Sequence, residues 1–224
     1  MARAYKMFSF PTPSFGSRCV LCQSSHLLFT SQLKMGLCAS CLSLSWSPER
    51  TLLNTDPPLS NYTLFCSHSP LYSLIKTAKN RSEMYLFLHI IQGCSPLIEP
   101  IREWISLSSE PFIFVPICSR KDHFKQRGFN PAHLFALSLH KTLPSTFLHA
   151  ALTRSGPSLP QVSLNRTQRL IAQKNTLKAH PILNQMRVCL VDDITTTGGT
   201  LIEAQRACLE IGVKECYAVS LFRG

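Results

Sequence analysis

The sequence predicts an α/β fold in which helices flank a parallel sheet. Short apolar runs typical of buried strands occur at 112–117 and 187–191, and a further strand is predicted at 216–222. Stretches with helical spacing separate these runs. Because parallel strands need crossover connections, this alternation indicates a parallel sheet.

The helices and the remaining strand follow from local signals. We predict helices at 71–79, 83–106 (broken near Gly93 and Pro96), 131–141 and 199–211, and a short strand within 146–152. Pro131 suits the first turn of its helix, and Gly212 suits the residue after the last one. The stretch 155–178 is polar without a clean period, which predicts a mobile loop with some helix.

The length of 224 residues allows one full-sized domain with a small appendage. We divide the chain into a cysteine-containing module at 1–46, a polar connector at 47–69 with one short strand near 62–65, and a main domain at 70–224. No run approaches the roughly 18–20 apolar residues of a membrane span. The first 15 residues lack the apolar core of a signal peptide, so we expect a cytoplasmic protein.

The formal net charge of +11 suits an anionic partner. A phosphorylated small molecule, a nucleic acid and an acidic protein all fit that description. Charge alone does not choose among them.

The strongest chemical signal follows the strand at 187–191. The segment consists of Asp192, Asp193, Ile194, Thr195, Thr196, Thr197, Gly198, Gly199 and Thr200, and an amphipathic helix begins there. The glycines allow a tight turn, and the N–H groups of a helix start surround a phosphate well. The two carboxylates suit ribose hydroxyls, directly or through a divalent cation. The alternative is a polar turn with two solvated aspartates. Neither a P-loop nor a dinucleotide-binding fingerprint is present.

Four cysteines form two tight pairs near the N-terminus. Cys19, Cys22, Cys38 and Cys41 have the spacing C-x2-C-x15-C-x2-C. Two such knuckles supply four thiolates in a tetrahedron and leave no open position, which predicts a structural Zn²⁺ site. The alternative is four unrelated thiols.

Residues 188–200 resemble the PRPP-binding motif of type I phosphoribosyltransferases throughout. That family has an apolar strand, two acids, an aliphatic residue, a variable residue and then Thr-Thr-Gly-x-Thr. The resemblance implies a type I phosphoribosyltransferase-like sheet that binds PRPP with Mg²⁺. It also implies that Asp192 and Asp193 bind the ribose hydroxyls and that the segment 195–200 binds the 5′-phosphate.

Together with the cysteine pairs, three further stretches resemble the ComF family of competence-associated proteins. These stretches are Leu74–Lys79, Val115–Ile117 with Arg127–Ala132, and Gln161–Arg169. Pro131 replaces the family's usual Gln, and the Asn expected three residues after Arg169 is missing. These departures concern the details of the loop and leave the predicted fold intact.

By its position, the turn after Ile117 should meet pyrophosphate. Arg120, Lys121, Lys125 and Arg127 supply cations there, and Arg127 is the strongest candidate because it belongs to a matched stretch. The alternative is a solvated basic loop. Lys79, Arg166 and Arg169 are weaker candidates, which we expect to be surface charges.

Two functions from different classes remain open. The first is a PRPP-binding phosphoribosyltransferase whose acceptor is unknown; Thr196 occupies the position of an acid in purine salvage enzymes, which disfavours hypoxanthine or guanine as acceptor. The second is a non-enzymatic competence factor that binds nucleotides, single-stranded DNA or competence proteins during DNA uptake. The sequence leaves open whether the site turns over.

Overall fold

The computed structural model describes residues 19, 21–22, 38–93, 98–106, 112–143, 147–148, 151–154 and 176–224. Its helices are α1 (Ala39–Ser45), α2 (Pro70–Asn80), α3 (Met84–Gly93), α4 (Glu99–Ser106), α5 (Lys121–Arg127), α6 (Pro131–Thr142) and α7 (Gly199–Glu210), with a 3-10 turn at Pro181–Leu183. Its strands are β1 (Trp46–Leu53), β2 (Leu59–Cys66), β3 (Ile113–Pro116), β4 (Phe147–Leu148), β5 (Leu152–Arg154), β6 (Leu177–Ala179), β7 (Arg187–Thr195) and β8 (Glu215–Arg223).

The main sheet has the strand order β1-β2-β8-β7-β3-β4. The predicted α/β class is confirmed, since helices flank a sheet whose strands from β2 to β4 pair in parallel. The sheet is mixed, because β1 pairs with β2 in antiparallel orientation at the edge. Strands β5 and β6 form a separate antiparallel pair.

The stretch predicted as a polar connector contributes two strands instead of one short strand. β1 and β2 form a hairpin, and β2 pairs in parallel with β8. β2 is buried along most of its length, although Ser60, Asn61 and Thr63 are polar. A polar strand can lie inside a sheet only when its side chains find hydrogen-bond partners.

Two apolar clusters cover the two faces of the sheet. Alternate residues of β7 point to opposite faces, as a strand requires, so that Cys189 and Val191 join one cluster whereas Val188 and Leu190 join the other. The first cluster packs beneath α2, α3, α4 and α6. The second packs beneath α7 and the β5–β6 hairpin.

Most predicted elements of the main domain are present within a residue or two of their expected bounds. One helix was not predicted: α5 contains no buried residue, so its sequence shows no apolar period. The stretch predicted as a short strand within 146–152 is divided between β4 and β5, which belong to different sheets. Most of the predicted loop, residues 155–175, lies outside the described residues. Each helix in the described part of the chain is too short or too polar to cross a bilayer.

Candidate functional site

The carboxyl ends of β3 and β7 lie side by side where the chain reverses its direction across the sheet. From β3 the chain proceeds outward to β4, and it returns to β7 on the other side of β3. The helix that follows β3 in the core, α6, packs mainly on one face, and α7 packs on the other. Such a switch point leaves a crevice beyond the strand ends, which is where open α/β sheets bind ligands. The predicted basic turn follows β3, and the predicted phosphate loop follows β7.

The phosphate loop (residues 195–200) joins β7 to α7 through a turn that needs glycine. Gly198 has a φ of 74°, in the left-handed region, and its carbonyl accepts a hydrogen bond from the Ile202 N–H at 2.9 Å. A Cβ at this position would lie 2.8 Å from Leu53 Cδ2 in β1. The backbone conformation therefore favours glycine, a side chain here would also displace Leu53, and the loop can approach an anion closely at the start of α7.

The two acidic residues stand side by side at the carboxyl end of β7. Both are half-buried, and the Asp193 N–H donates to Asp192 Oδ1 at 2.9 Å. Burial and the neighbouring charge of Asp193 raise the pKa of Asp192 to about 8. Two adjacent carboxylates repel one another, so the pair could hold a cation or hydroxyl donors.

Lys79 of α2 supplies one cation to this pair. Its Nζ forms an ion pair with Asp193 Oδ2, and the two side chains are only 12% and 13% exposed. The prediction that Lys79 is a surface charge is therefore wrong. The signal that could have identified it is its place at the end of the matched Leu74–Lys79 stretch.

Asn130 holds the turn that follows β3. Its Nδ2 donates to the Ile117 carbonyl at 2.9 Å, and its Oδ1 accepts from the Ser119 hydroxyl at 3.0 Å. The same Oδ1 accepts from the Ala132 N–H at 3.1 Å and so caps α6. The Ile117 N–H in turn donates to the Val191 carbonyl at 2.8 Å. This turn is thereby fixed beside the strand that carries Asp192 and Asp193.

Several cations gather near this turn. Burial, followed by the charge of Arg154 from β5, lowers the pKa of Arg120 at the N-cap of α5. Burial also lowers the pKa of His123, and the charges of Arg127, Arg120 and Lys79 lower it further. These mutual effects show that α2, α5 and β5 direct positive charge at one region. Its electrostatic potential favours an anion.

The predicted basic residues differ in their exposure. Arg120 and Arg127 are half-buried, whereas Lys121 and Lys125 are exposed. Within the phosphate loop, Thr195 is buried, Thr196 and Thr197 are exposed and Thr200 is half-buried. Arg166 and Arg169 lie outside the described residues. Arg154 is a cation that the sequence analysis did not single out, and its place on a short strand beyond the turn gave no local signal.

The four predicted zinc ligands form one cluster. Their sulfur atoms all lie within 4.8 Å of one another, and Cys22 Sγ is 3.6 Å from Cys38 Sγ. The Cys41 N–H donates to Cys38 Sγ at 3.4 Å at the start of α1. Cys19, Cys38 and Cys41 are buried within the first apolar cluster, whereas Cys22 is exposed.

The electrostatics of this cluster fit a metal site. Burial raises the pKa of Cys19, but the N–H groups of Cys22, Cys38 and Leu21 outweigh it, and the resulting value is about 6. Burial and the neighbouring thiols raise the pKa of Cys41 well above its usual range. Four sulfur atoms this close cannot all be ionised without a cation among them. The cluster could hold a metal ion, and four thiolates are the donor set of structural zinc.

Two competence proteins and one solved structure are similar to this chain. Competence protein ComFC of Bacillus subtilis is 37% identical over 101 residues, which are 45% of this chain and only 40% of that relative. Competence protein F of Haemophilus influenzae is 25% identical over 236 aligned positions, which cover 93% of this chain and 98% of the relative. A hypoxanthine phosphoribosyl transferase of Trypanosoma cruzi is 12% identical, covers 61% of this chain and 64% of its own, and has a TM-score of 0.37. No family model matches the chain.

The fold and the site together define the class of protein. It is an α/β protein whose sheet, flanked by helices, presents an acid pair and a Thr/Gly loop at its switch point. A four-cysteine cluster precedes this domain. The two competence proteins then support a ComF-family assignment for this chain.

Proposed function

We propose that this chain is a competence-related, phosphoribosyltransferase-like protein that binds PRPP or a related ribose phosphate together with Mg²⁺. One observation carries the proposal: the acid pair and the glycine-containing loop follow β7 at the switch point of the sheet, and Lys79, which pairs with Asp193, also lies within electrostatic range of the basic helix after β3. The names of the two competence proteins support the link to competence.

Each part of a PRPP-like ligand has a matching group in this arrangement. The N–H groups at the start of α7 and the hydroxyls of the loop suit the 5′-phosphate. Asp192 and Asp193 suit the ribose hydroxyls, as in the motif that residues 188–200 resemble. Arg120 and Arg127 suit the pyrophosphate, since guanidinium groups bind phosphate oxygens with two donors at once.

The acid pair also fits Mg²⁺. Carboxylate oxygens are the ligands this ion prefers. The pKa of Asp192 is raised, and a divalent cation beside its carboxyl group would favour the ionised form of that group. Asp192 and Asp193 would hold the ion, which would supply positive charge for the leaving pyrophosphate. Lys79 forms an ion pair with Asp193 in the chain without ligand.

The proposed chemistry is displacement of pyrophosphate by a nitrogen nucleophile. The bond between the anomeric carbon and the pyrophosphate oxygen breaks, and its electron pair leaves with the pyrophosphate. A bond from the nitrogen lone pair to the anomeric carbon forms, and the nitrogen then loses a proton. The protein contributes by positioning both groups and by stabilising the leaving group with Arg120 and Arg127.

Calorimetric titration of the full chain with PRPP and Mg²⁺ tests this proposal. Binding to the wild type is expected, and Asp193→Asn should weaken it at least about tenfold, because the variant loses a charged hydrogen-bond acceptor. Glu99→Gln is the matched control, since Glu99 is an exposed acid of α4 outside this site. Absence of binding by the wild type, or equal effects of the two substitutions, would contradict the proposal.

A second function has its own supporting observation. Helix α5 exposes Lys121, Lys125 and Phe124, and the Phe124 side chain is 50% exposed. Cations beside an exposed aromatic ring suit single-stranded nucleic acid, since bases stack on the ring while phosphates meet the cations. A non-enzymatic competence factor would then bind single-stranded DNA here.

Fluorescence anisotropy with a labelled single-stranded oligonucleotide tests this second function. The affinity should fall with rising salt concentration, and Phe124→Ala should weaken binding by about 1–3 kcal/mol. Tyr85→Ala is the control, because Tyr85 is an aromatic of similar exposure on α3. Binding that is independent of salt, or equally affected by both substitutions, would count against it.

A further inference from the structure

A buried chain of hydrogen bonds runs beneath the phosphate loop and crosses three strands. Thr195 Oγ1 of β7 lies 2.5 Å from Ser220 Oγ of β8. The Ser220 hydroxyl donates to Asn61 Oδ1 of β2 at 3.0 Å, and Asn61 Nδ2 donates to Thr63 Oγ1 at 3.2 Å. These four residues are at most 5% exposed, so water does not compete for their polar groups.

The direction of each hydrogen bond follows from counting hydrogens. Because the amide nitrogen of Asn61 donates to Thr63, its carbonyl oxygen faces Ser220 and can only accept. A hydroxyl has a single hydrogen, and that of Ser220 is used on Asn61. The short contact with Thr195 therefore requires Thr195 to donate and Ser220 to accept.

The Thr195 hydroxyl thus has no hydrogen left for a phosphate oxygen. The Thr195 carbonyl is also occupied, since it accepts from the Gly224 N–H at 2.9 Å. Thr197 differs: its Oγ1 accepts weakly from the Gly199 N–H at 3.4 Å, which leaves its own hydrogen to donate, and its side chain is exposed. The first threonine of the loop is fixed to the sheet, whereas Thr197 faces outward.

We propose that Ser220 and Asn61 are positioning residues for the phosphate loop, and that Thr195 anchors the loop through them instead of donating to the phosphate. This inference rests on the proposed function of the loop as a phosphate site. It assigns Thr195 a different role from the other threonines of the segment 195–200. It also explains why the polar residues Asn61 and Thr63 occupy an inner strand.

Hydrogen–deuterium exchange of the full chain tests the anchor without any ligand. In Thr195→Val, which keeps the shape but removes the hydroxyl, the amides of Ile202 and Gly224, which donate to the Gly198 and Thr195 carbonyls of the loop, should exchange about fivefold faster. Ser220→Ala should have the same effect, and the double variant should exchange no faster than either single variant. Thr195→Ser should restore the wild-type rate. Residues 113–116 of β3 serve as the internal control.

Thr195→Val alone provides the same test where Ser220→Ala does not fold, because it removes the same hydrogen bond from the other side. Unchanged exchange at Ile202 and Gly224, or an additive effect in the double variant, would overturn the anchor. Equal acceleration in β3 would also overturn it, since the substitution would then act on the whole sheet.

Calorimetry with ribose 5-phosphate separates the anchor from the proposed function. Ser220 is fully buried, so Ser220→Ala should weaken binding about fivefold only through the loop. If the wild type does not bind ribose 5-phosphate, the proposed function fails, and the exchange data still decide whether the anchor exists. If the wild type binds and Ser220→Ala binds equally well, the positioning role is refuted.

Discussion

The phosphate loop and the four-cysteine cluster both gather polar groups that need partners, but they obtain those partners differently. The loop is fixed by the sheet: Thr195 is bonded to Ser220, Gly198 fits against Leu53, and Lys79 pairs with Asp193. In the cysteine cluster, the sulfur atoms of the four described cysteines face one another. We infer that the protein alone forms the loop, whereas a metal ion completes the cluster.

The largest expected effect is loss of the metal. Cys38→Ser should abolish binding of about one equivalent of zinc, and the N-terminal module should then lose its structure, because metal binding supplies the free energy that holds four thiolates together. Metal analysis and circular dichroism measure both. Cys66→Ser is the matched control, since Cys66 is half-exposed and outside the cluster. A folded wild-type chain without metal would contradict the site.

The next effect concerns the glycine of the phosphate loop. Gly198→Ala should destabilise the protein more than Gly128→Ala, as measured by urea unfolding. Both glycines have a positive φ, so both substitutions cost about 1–2 kcal/mol of backbone strain. Only Gly198 also meets Leu53 at 2.8 Å, whereas a Cβ at Gly128 has no neighbour within 4 Å. Equal losses of stability would show that Leu53 does not constrain the loop.

A smaller effect is expected at the ion pair beneath the loop. Lys79→Met keeps most of the side-chain length but removes the charge that faces Asp193, and should lower the free energy of unfolding by about 2 kcal/mol. Lys76→Met is the control on the same helix, because Lys76 is exposed. Identical unfolding curves for the two variants would argue against a contribution of the ion pair.

The last expected effect is a change in how stability depends on pH, and it is spread over several pH units. Because the pKa of Asp192 is raised to about 8, the folded chain retains a proton that the unfolded chain releases near pH 4. Between about pH 4 and 8 the folded state binds more protons, so this group makes the free energy of unfolding fall as the pH rises. Asp192→Asn should remove that part of the slope in urea unfolding without added Mg²⁺. A slope unchanged by the substitution would contradict the raised pKa.

The sequence predicted the parts of the site that depend on local signals. The apolar run of β7, the acid pair and the glycines before α7 are neighbours in the chain, and their pattern indicated both the strand and the loop. The spacing of the cysteines likewise predicted their cluster. These predictions needed no knowledge of distant residues.

The remaining parts depend on contacts between residues far apart in the sequence. Only the part of the β1–β2 hairpin near 62–65 was predicted as a strand, because Ser60 and Asn61 look like loop residues until Ser220 is placed beside Asn61. Helix α5 was missed because every face of it is exposed. The role of Lys79 required the position of Asp193, more than 100 residues further along the chain.

The central claim is that the crevice beyond β3 and β7 binds PRPP at both ends, with the 5′-phosphate at the phosphate loop and the pyrophosphate at the basic turn. Calorimetry of the wild-type chain with Mg²⁺ should give the tightest binding for PRPP. Ribose 5-phosphate and pyrophosphate should each bind more weakly, because each of these ligands occupies only one end of the crevice. Arg127→Met should weaken binding of PRPP and pyrophosphate but leave ribose 5-phosphate unaffected. Failure of PRPP to bind, or PRPP binding no tighter than pyrophosphate alone, would contradict the account.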